Sequence, residues 1–175
     1  MRELTDRERF EEIVLPHLDA AFNLARWLTC NDQDAEDVVQ EAYLRAYKFF
    51  NSFRGIDARS WLLTIIRNTS YSWLQKNRPR DLATSSDTEL EIMESNLLDP
   101  EAQLIQNADN DLIEHALDRL ALEYREVIVL RELEGMSYKE IASITNIPLG
   151  TVMSRLARAR KQLQQYLVCH MSREG

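Results

Sequence analysis

Hydrophobic side chains recur every three or four residues along most of the chain, which is the spacing of amphipathic helices. This pattern predicts helices over 10–29, 35–50, 60–75 and 122–134, with the first kinked or divided at Pro16. A further helix is predicted to start at Asp99-Pro100 and to continue to Leu120, because Asp is a good N-cap and Pro is favoured at the first helical position. Strand-like alternation is scarce, so the sequence predicts an all-α protein.

Two short helices joined by a tight turn are predicted over 137–161. Ser137 and Glu140 have the spacing of a capping box. Asn146, Pro148 and Gly150 interrupt the first helix, and a second is predicted to restart near residue 151. Its apolar positions have helical spacing and are Val152, Leu156, Ala159 and Leu163. This arrangement predicts a helix-turn-helix, whose second helix lies in the DNA major groove.

The polar face of that second helix carries the residues expected to meet DNA. Ser154 and Arg155 come early, where a recognition helix reaches base edges, whereas Arg158, Arg160 and Lys161 are placed for phosphates. The alternative is an ordinary helix pair with a solvated basic face. The pattern favours DNA binding.

Charge is segregated along the chain, whose net charge is −8. Eleven acids and no Lys or Arg lie between Asp81 and Asp118, which leaves 18 acids against 21 cations elsewhere. The segment 58–80 has five cations and no acid. We therefore expect two small helical domains, 1–80 and 111–175, joined by a flexible acidic linker over 81–110.

A cluster of acids opens the predicted second helix, and it has three interpretations. Asp34, Glu36, Asp37 and Glu41 could hold a metal ion, although no nearby histidine completes a coordination shell. Acids at a helix start also complement the helix dipole and are commonly solvated. The third interpretation is a docking face for a protein partner.

Aromatic and basic residues alternate after residue 48, through Phe53 and Arg54 to Trp61, Trp73 and the segment 76–80. Aromatic faces and cations together suit single-stranded DNA, whose bases stack while its phosphates meet the charges. The alternative is a buried role for the tryptophans, which stand at helical spacing.

Composition limits the compartment and the cofactors. The N-terminus does not resemble a signal peptide and no apolar run reaches the length of a membrane span, so a cytoplasmic location is expected. Cys30 and Cys169 have no metal-site or disulfide spacing. No metal or other cofactor is predicted.

Three segments, in this order, resemble bacterial sigma factors of the extracytoplasmic-function group in the sigma-70 family. The segment 34–47 (DAEDVVQEAYLRAY) is similar to region 2.2, and 53–55 with 61–68 are similar to regions 2.3 and 2.4. The segments 124–127, 130–142 and 148–160 are similar to region 4. Met153 departs from the pattern, because many members have Arg or Lys at this position.

The resemblance implies a non-enzymatic specificity subunit that binds core RNA polymerase, at its clamp helices and flap, and promoter DNA. It also implies control by an anti-sigma factor. The residues expected to dock on polymerase are Asp37, Gln40 and Glu41. Those expected at the −10 element are Phe53, Arg54, Trp61, Arg67, Asn68, Lys76 and Arg78. Those expected at the −35 element are Thr151, Ser154, Arg155, Arg158, Arg160 and Lys161.

Two other functions compete with this one. A stand-alone helix-turn-helix regulator would have no use for the acidic face at 34–41 or the aromatic helix at 61–73. A metal-dependent nuclease built on the acidic cluster would need ligands from a second element. Binding to core polymerase separates the first alternative from a sigma factor, and metal-dependent DNA cleavage would establish the second.

Overall fold

A computed structural model describes residues 3–55, 57–82 and 110–174, with side chains up to His170. Every regular element in these ranges is a helix, which confirms the all-α prediction. The N-terminal helical group comprises α1 (Asp6–Val14), α2 (Leu18–Thr29), α3 (Asp32–Phe49), α4 (Ala58–Asn77) and α5 (Pro79–Leu82). The C-terminal helical group comprises α6 (Asn110–Arg119), α7 (Leu122–Ile128), α8 (Tyr138–Thr145) and α9 (Leu149–Glu174).

Local capping decides where the N-terminal helices begin. Pro16 lies in a 3₁₀ turn, Leu15–His17, that divides α1 from α2 as the sequence predicted. Asn31 and Asp57 accept hydrogen bonds from amides three residues ahead, at 2.9 and 3.0 Å, so α3 and α4 start two or three residues before the predicted positions. Thr5 forms a capping box with Glu8 that places the start of α1 at Asp6.

Helices α2, α3 and α4 pack on one another and form the core of the N-terminal group. The inner face of α3 is built from small side chains, with Ala35, Ala42 and Ala46 fully buried. Small residues let neighbouring helices approach closely, and Leu62 and Ile66 of α4 are among the large buried side chains nearby. The polar side of α3 is left on the surface.

The C-terminal group departs from the predicted continuous helix over 122–134. Helix α7 ends at Ile128 and the chain continues as a π-helical turn, Val129–Leu133. Gly135 then adopts a φ of +67°, a value that favours glycine, and the Met136 amide donates to the carbonyl of Leu130. This turn redirects the chain into the helix-turn-helix.

The predicted acidic linker lies almost wholly outside the described residues. Residues 81 and 82 belong to α5, and residue 110 begins α6. The intervening segment 83–109, including the predicted helix start at Asp99, is outside the described range.

The two helical groups are in direct contact. Helix α2 packs on α7 and on the π-helical turn, and α4 packs on α8. The buried apolar side chains of both groups belong to one contiguous cluster. The described helices therefore share a core.

Candidate polymerase and promoter surfaces

The outer face of α3 carries the residues predicted to dock on a partner. Asp37, Gln40 and Glu41 are exposed, whereas Val38 and Ala42 between them are fully buried. The exposed and buried sets occupy opposite faces, as expected for an amphipathic helix. The face is therefore acidic and available to another protein.

The geometry of this acidic cluster gives no support to a metal site. Within the described ranges, no three His, Cys, Asp or Glu side chains are grouped so that they could hold a metal ion. Asp34 instead lies 3.5 Å from the Arg78 guanidinium. The nuclease hypothesis thus lacks the ligand arrangement it requires among these residues.

Three aromatic rings meet where the loop after α3 reaches α4. Phe53 and Trp61 lie 5.0 Å apart between ring centroids, and Phe50 lies 6.2 Å from Phe53 and 6.3 Å from Trp61. Phe50 is buried, whereas Phe53 and Trp61 are only half-buried. The cluster thus combines a core anchor with rings that remain partly accessible.

A surface cavity of about 430 Å³ opens beside this aromatic cluster. Its walls combine aromatic and polar side chains, including Phe53, Asn51, Arg54 and Arg9. Arg9 comes from α1, and its guanidinium lies 5.9 Å from the Phe50 ring centroid. Stacking surface, an amide and two cations around a cavity of this size suit an unstacked nucleotide base with its phosphate.

The other residues predicted for the −10 element have different surroundings. Arg54, Asn68 and Lys76 are exposed. Arg67 is 18% exposed and paired with Glu126 of α7, so it does not face solvent freely. The predicted residues therefore do not form one continuous free surface in this conformation.

Arg78 has a structural role in addition to its charge. It lies 3.5 Å from both Asp34 and Asp81, donates to the Thr29 carbonyl, and has its guanidinium carbon 5.4 Å from the Trp73 ring centroid. These contacts tie the end of α4 to the turn between α2 and α3. Trp73 itself is half-buried against the core, as is Trp61.

The helix-turn-helix forms as the sequence predicted. The Ser137 hydroxyl accepts from the Glu140 amide at 3.1 Å, and the Ser137 amide donates to the Glu140 carboxylate at 2.8 Å. Asn146 ends α8 in the left-handed region with a φ of 58°. Helix α9 starts at Leu149, two residues before the predicted restart, because the amides of Thr151 and Val152 already donate to the Pro148 carbonyl.

The predicted −35 residues lie outside the buried stripe of α9 and are all at least partly exposed. Ser154 and Lys161 are exposed, and Thr151, Arg155, Arg158 and Arg160 are half-exposed. Arg155 lies 3.7 Å from Glu123, and Arg160 lies 2.7 Å from Glu132. Glu123 belongs to α7 and Glu132 to the π-helical turn, so two arginines of α9 are oriented by the segment that precedes the helix-turn-helix.

Two family models match the chain, one on each helical group. The model of sigma-70 region 2 matches residues 13–80, and the model of sigma-70 region 4 matches residues 110–163. The RNA polymerase sigma-H factor of Pseudomonas aeruginosa is 32% identical over 169 residues, covering 93% of this chain and 88% of the relative. The chain belongs to the sigma-70 family, in its extracytoplasmic-function group.

Other members show the same degree of similarity to this sigma factor. The extracytoplasmic-function RNA polymerase sigma-E factor of Escherichia coli is 37% identical over 137 residues, covering 74% of this chain and 72% of the relative. The factor SigE of Mycolicibacterium smegmatis is 34% identical over 167 residues. That alignment covers 93% of this chain but 63% of the relative, which is the longer protein.

Two solved structures have the same fold. The sigma factor RpoE of Bartonella quintana, in complex with the anti-sigma factor NepR, matches with a TM-score of 0.70 and 32% identity, covering 91% of this chain and 96% of that one. CnrH, in complex with the cytosolic domain of CnrY, matches with a TM-score of 0.64 and 26% identity, covering 91% and 88%.

Sequence reasoning missed an apolar residue on the acidic face of this sigma factor. Leu44 follows Gln40 and Glu41 by one turn and is 68% exposed. The sequence could have indicated this exposure. Val38, Ala42 and Ala46 have the helical spacing of one buried face, and Leu44 does not share that spacing. Arg9 was likewise missed, since nothing in the sequence places α1 beside the aromatic cluster.

Among the described helices, none combines the length and the hydrophobicity needed to cross a bilayer.

Proposed function

We propose that this sigma factor binds core RNA polymerase and directs it to promoters that have a −10 and a −35 element. The observation that carries the proposal is the presence, on one chain, of an exposed acidic face on α3 and a separate helix-turn-helix with a basic face. A DNA-binding regulator needs only the second surface. A subunit that recruits polymerase to DNA needs both.

The first division of labour assigns polymerase contact to α3. Asp37, Gln40 and Glu41 would face the clamp helices of the polymerase, and Leu44, one turn further along α3, would add an apolar contact. Apolar anchors surrounded by polar residues are the usual arrangement at protein interfaces. The C-terminal group would contact the flap.

The second division assigns the −10 element to the N-terminal group. The aromatic cluster and the adjoining cavity would take an unstacked base, with Phe53 and Trp61 as stacking surfaces. Arg54, Asn68, Lys76 and Arg67 would follow the displaced strand. Strand opening by base capture explains why rings and cations are combined at this site.

The third division assigns the −35 element to α9. Thr151, Ser154 and Arg155, near the start of this helix, would reach base edges. Arg158, Arg160 and Lys161 would contact phosphates, which supply affinity and register. In domain terms the assignment is 1–80 for polymerase and the −10 element, 81–110 for the acidic linker, and 111–175 for the −35 element.

An anti-sigma factor would control this chain. Support comes from the solved relative RpoE, whose structure is in complex with the anti-sigma factor NepR. The chain would act in the cytoplasm, where polymerase and chromosome are, and would supply no catalytic group of its own, because the polymerase performs the chemistry.

The test is capture of purified core RNA polymerase by the tagged full-length chain, followed by run-off transcription on a promoter library. Tight binding with selective transcripts is the expected result, and the transcripts define the promoter bases. A folded chain that binds DNA but not core polymerase would instead support the stand-alone regulator.

A further inference from the structure

A buried ion pair joins the helix assigned to the −10 element to the helix that precedes the helix-turn-helix. Arg67 of α4 donates to both carboxylate oxygens of Glu126 in α7, at 3.0 and 3.2 Å. Glu126 is fully buried and Arg67 is 18% exposed. The Arg67 guanidinium also stacks on the Tyr71 ring, 3.7 Å from its centroid. An arginine held in this way does not contact a DNA strand.

The residue next to Glu126 makes a second connection between the groups. Arg125 is 7% exposed and donates to the carbonyls of Trp27 and Leu28, at 2.7 and 3.4 Å, at the end of α2. It also donates to the Leu120 carbonyl, just after the end of α6, at 2.9 Å. A cation at the C-terminal ends of two helices satisfies their free carbonyls and complements both dipoles. One side chain thereby links the two groups.

More peripheral contacts continue the same interface. Arg59, at the start of α4, donates to the carbonyl and the carboxylate of Glu134, at 2.6 and 3.0 Å. The Cys30 thiol lies 3.5 Å from the Asp118 carboxylate. Together with the shared apolar cluster, these contacts make a continuous interface rather than a single touching point.

In this conformation the two helical groups pack directly on each other, which we call the closed arrangement. The closed arrangement does not allow the two groups to contact both promoter elements at the same time. The −10 and −35 positions are about 25 base pairs apart, which corresponds to about 85 Å of duplex at 3.4 Å per base pair. Helix α4 nevertheless packs directly on α8, the first helix of the helix-turn-helix, and the Ser60 hydroxyl lies 3.5 Å from the Glu140 carboxylate. The two groups must separate before both elements are bound.

The Arg67–Glu126 ion pair is a contact that a binding partner could break at a small cost in free energy. A buried ion pair gains strong attraction but loses the hydration of both charges, so the net stabilisation is small. Opening returns both charges to water, where Arg67 becomes available to phosphates. Removing only one member is different, because it leaves the other buried without a counter-charge.

We propose that the free sigma factor is held closed by an Arg67–Glu126 latch, reinforced by Arg125 and Arg59, and that this latch and promoter DNA compete for Arg67. The inference rests on the assignment of α4 to the −10 element under the proposed function. Core polymerase opens the latch by binding the two groups at separate sites. The free chain is thus inactive by its own contacts, in addition to any inhibitor.

The test measures the shape of the full-length chain without polymerase, in the wild type and in two latch variants. Glu126→Gln removes the fully buried charge, and Arg59→Ala removes a second pair, in which Arg59 is 36% exposed and Glu134 is 8% exposed. Matched controls are Glu12→Gln, an exposed acid on α1, and Arg7→Ala, which removes a surface pair within that helix. Small-angle X-ray scattering gives the radius of gyration, and circular dichroism verifies helix content.

The native cysteines give a second, local readout. In a Cys169→Ser background, the rate of maleimide addition to Cys30 reports exposure of the interface beside Asp118. We expect a wild-type radius of gyration near that of a compact chain of this length, about 16 Å. We expect a larger radius and at least a roughly tenfold faster Cys30 reaction in Glu126→Gln, a smaller effect in Arg59→Ala, and no change in the controls.

Two results would contradict the latch proposal. One is a wild-type radius of gyration well above that of a compact chain, and the other is folded latch variants whose radius and Cys30 reaction rate equal those of their controls. If Glu126→Gln loses helix content, the proposal is tested by the Arg59→Ala variant and by the wild-type radius of gyration. Core polymerase capture by the wild type is measured in parallel, so that failure of the proposed function, which appears there, is distinguished from failure of the latch, which appears in the scattering.

Discussion

Arg160 of the recognition helix and Glu132 of the preceding π-helical turn form an ion pair 2.7 Å long. The Arg160 side chain is 24% exposed and that of Glu132 is 48% exposed. An arginine proposed to contact phosphate is therefore paired with an acid on the same surface. Under the proposed function, the acid would orient the guanidinium and would also repel the phosphate backbone.

We predict that Glu132→Gln tightens binding of the polymerase complex to a −35 duplex several-fold. Removing a surface ion pair costs only about 0.2–1 kcal/mol of folding stability, whereas Arg160 gains full freedom to meet phosphate. The measurement is fluorescence anisotropy over a salt series, with Asp111→Asn, a substitution at an exposed position of α6, as the control for net charge. Weaker binding would mean that orientation by Glu132 matters more than its repulsion.

The acidic face of α3 gives a second prediction. Replacing Asp37 and Gln40 together by alanine should reduce affinity for core polymerase at least about tenfold, because hot-spot side chains at interfaces each contribute about 1–2 kcal/mol or more. Both side chains are exposed, so the free energy of unfolding should change little. Affinity is measured by surface plasmon resonance and stability by urea unfolding. Unchanged affinity would remove the docking assignment.

The exposed apolar residue Leu44 gives a second test of the polymerase-docking face of α3. At 68% exposure it contributes little to the core, so Leu44→Ser should leave stability unchanged while lowering polymerase affinity. The control is Leu15→Ser, since Leu15 is 46% exposed in the 3₁₀ turn before α2. Equal effects of the two substitutions would show that Leu44 is simply an exposed surface leucine.

The thiol of Cys30 gives a prediction about pH. Burial, together with the neighbouring Asp118 carboxylate, raises the pKa of Cys30, although Arg125 opposes the shift. A raised pKa means a smaller thiolate fraction at any pH below it, and only the thiolate reacts with iodoacetamide. In the Cys169→Ser chain, the pH–rate profile of alkylation should therefore lie at higher pH than in the denatured chain. A profile at or below that of the denatured chain would contradict the burial.

Short-range patterns predicted much of this fold, because they depend on residues that are neighbours in sequence. The Ser137–Glu140 capping box and the division at Pro16 were predicted from spacing alone and are confirmed. The starts of α3 and α4 were predicted too late because Asn31 and Asp57 cap from outside the apolar periodicity. The π-helical turn at Val129–Leu133 keeps the same apolar residues as an α-helix and has no separate sequence signal.

The interface between the helical groups could not be predicted in this way. Arg67 and Glu126 are 59 positions apart, and each looks like an ordinary surface residue within its own helix. Arg67 is predicted to contact DNA because of its position in the family motif, and that role concerns the DNA-bound state. Its partner in the free chain depends on how the two groups pack, and no local pattern encodes that.

The proposed assignment of α9 to the −35 element separates base reading from phosphate binding. We predict that Arg155→Ala relaxes specificity at the −35 element and costs about 1–3 kcal/mol on the preferred sequence, with less loss on a mutated one. Arg158→Ala, the matched variant one turn later, should weaken binding to all −35 sequences alike. It should also reduce the slope of log affinity against log salt concentration by about one. Both are measured as polymerase complexes binding duplexes with systematic −35 substitutions. Because Arg155 also lies 3.7 Å from Glu123, core polymerase affinity is measured alongside. An equal loss of affinity on all −35 sequences for Arg155→Ala would show that Arg155 contacts phosphates rather than bases. Loss of core polymerase binding would show instead that the contact between Arg155 and Glu123 supports the folded domain.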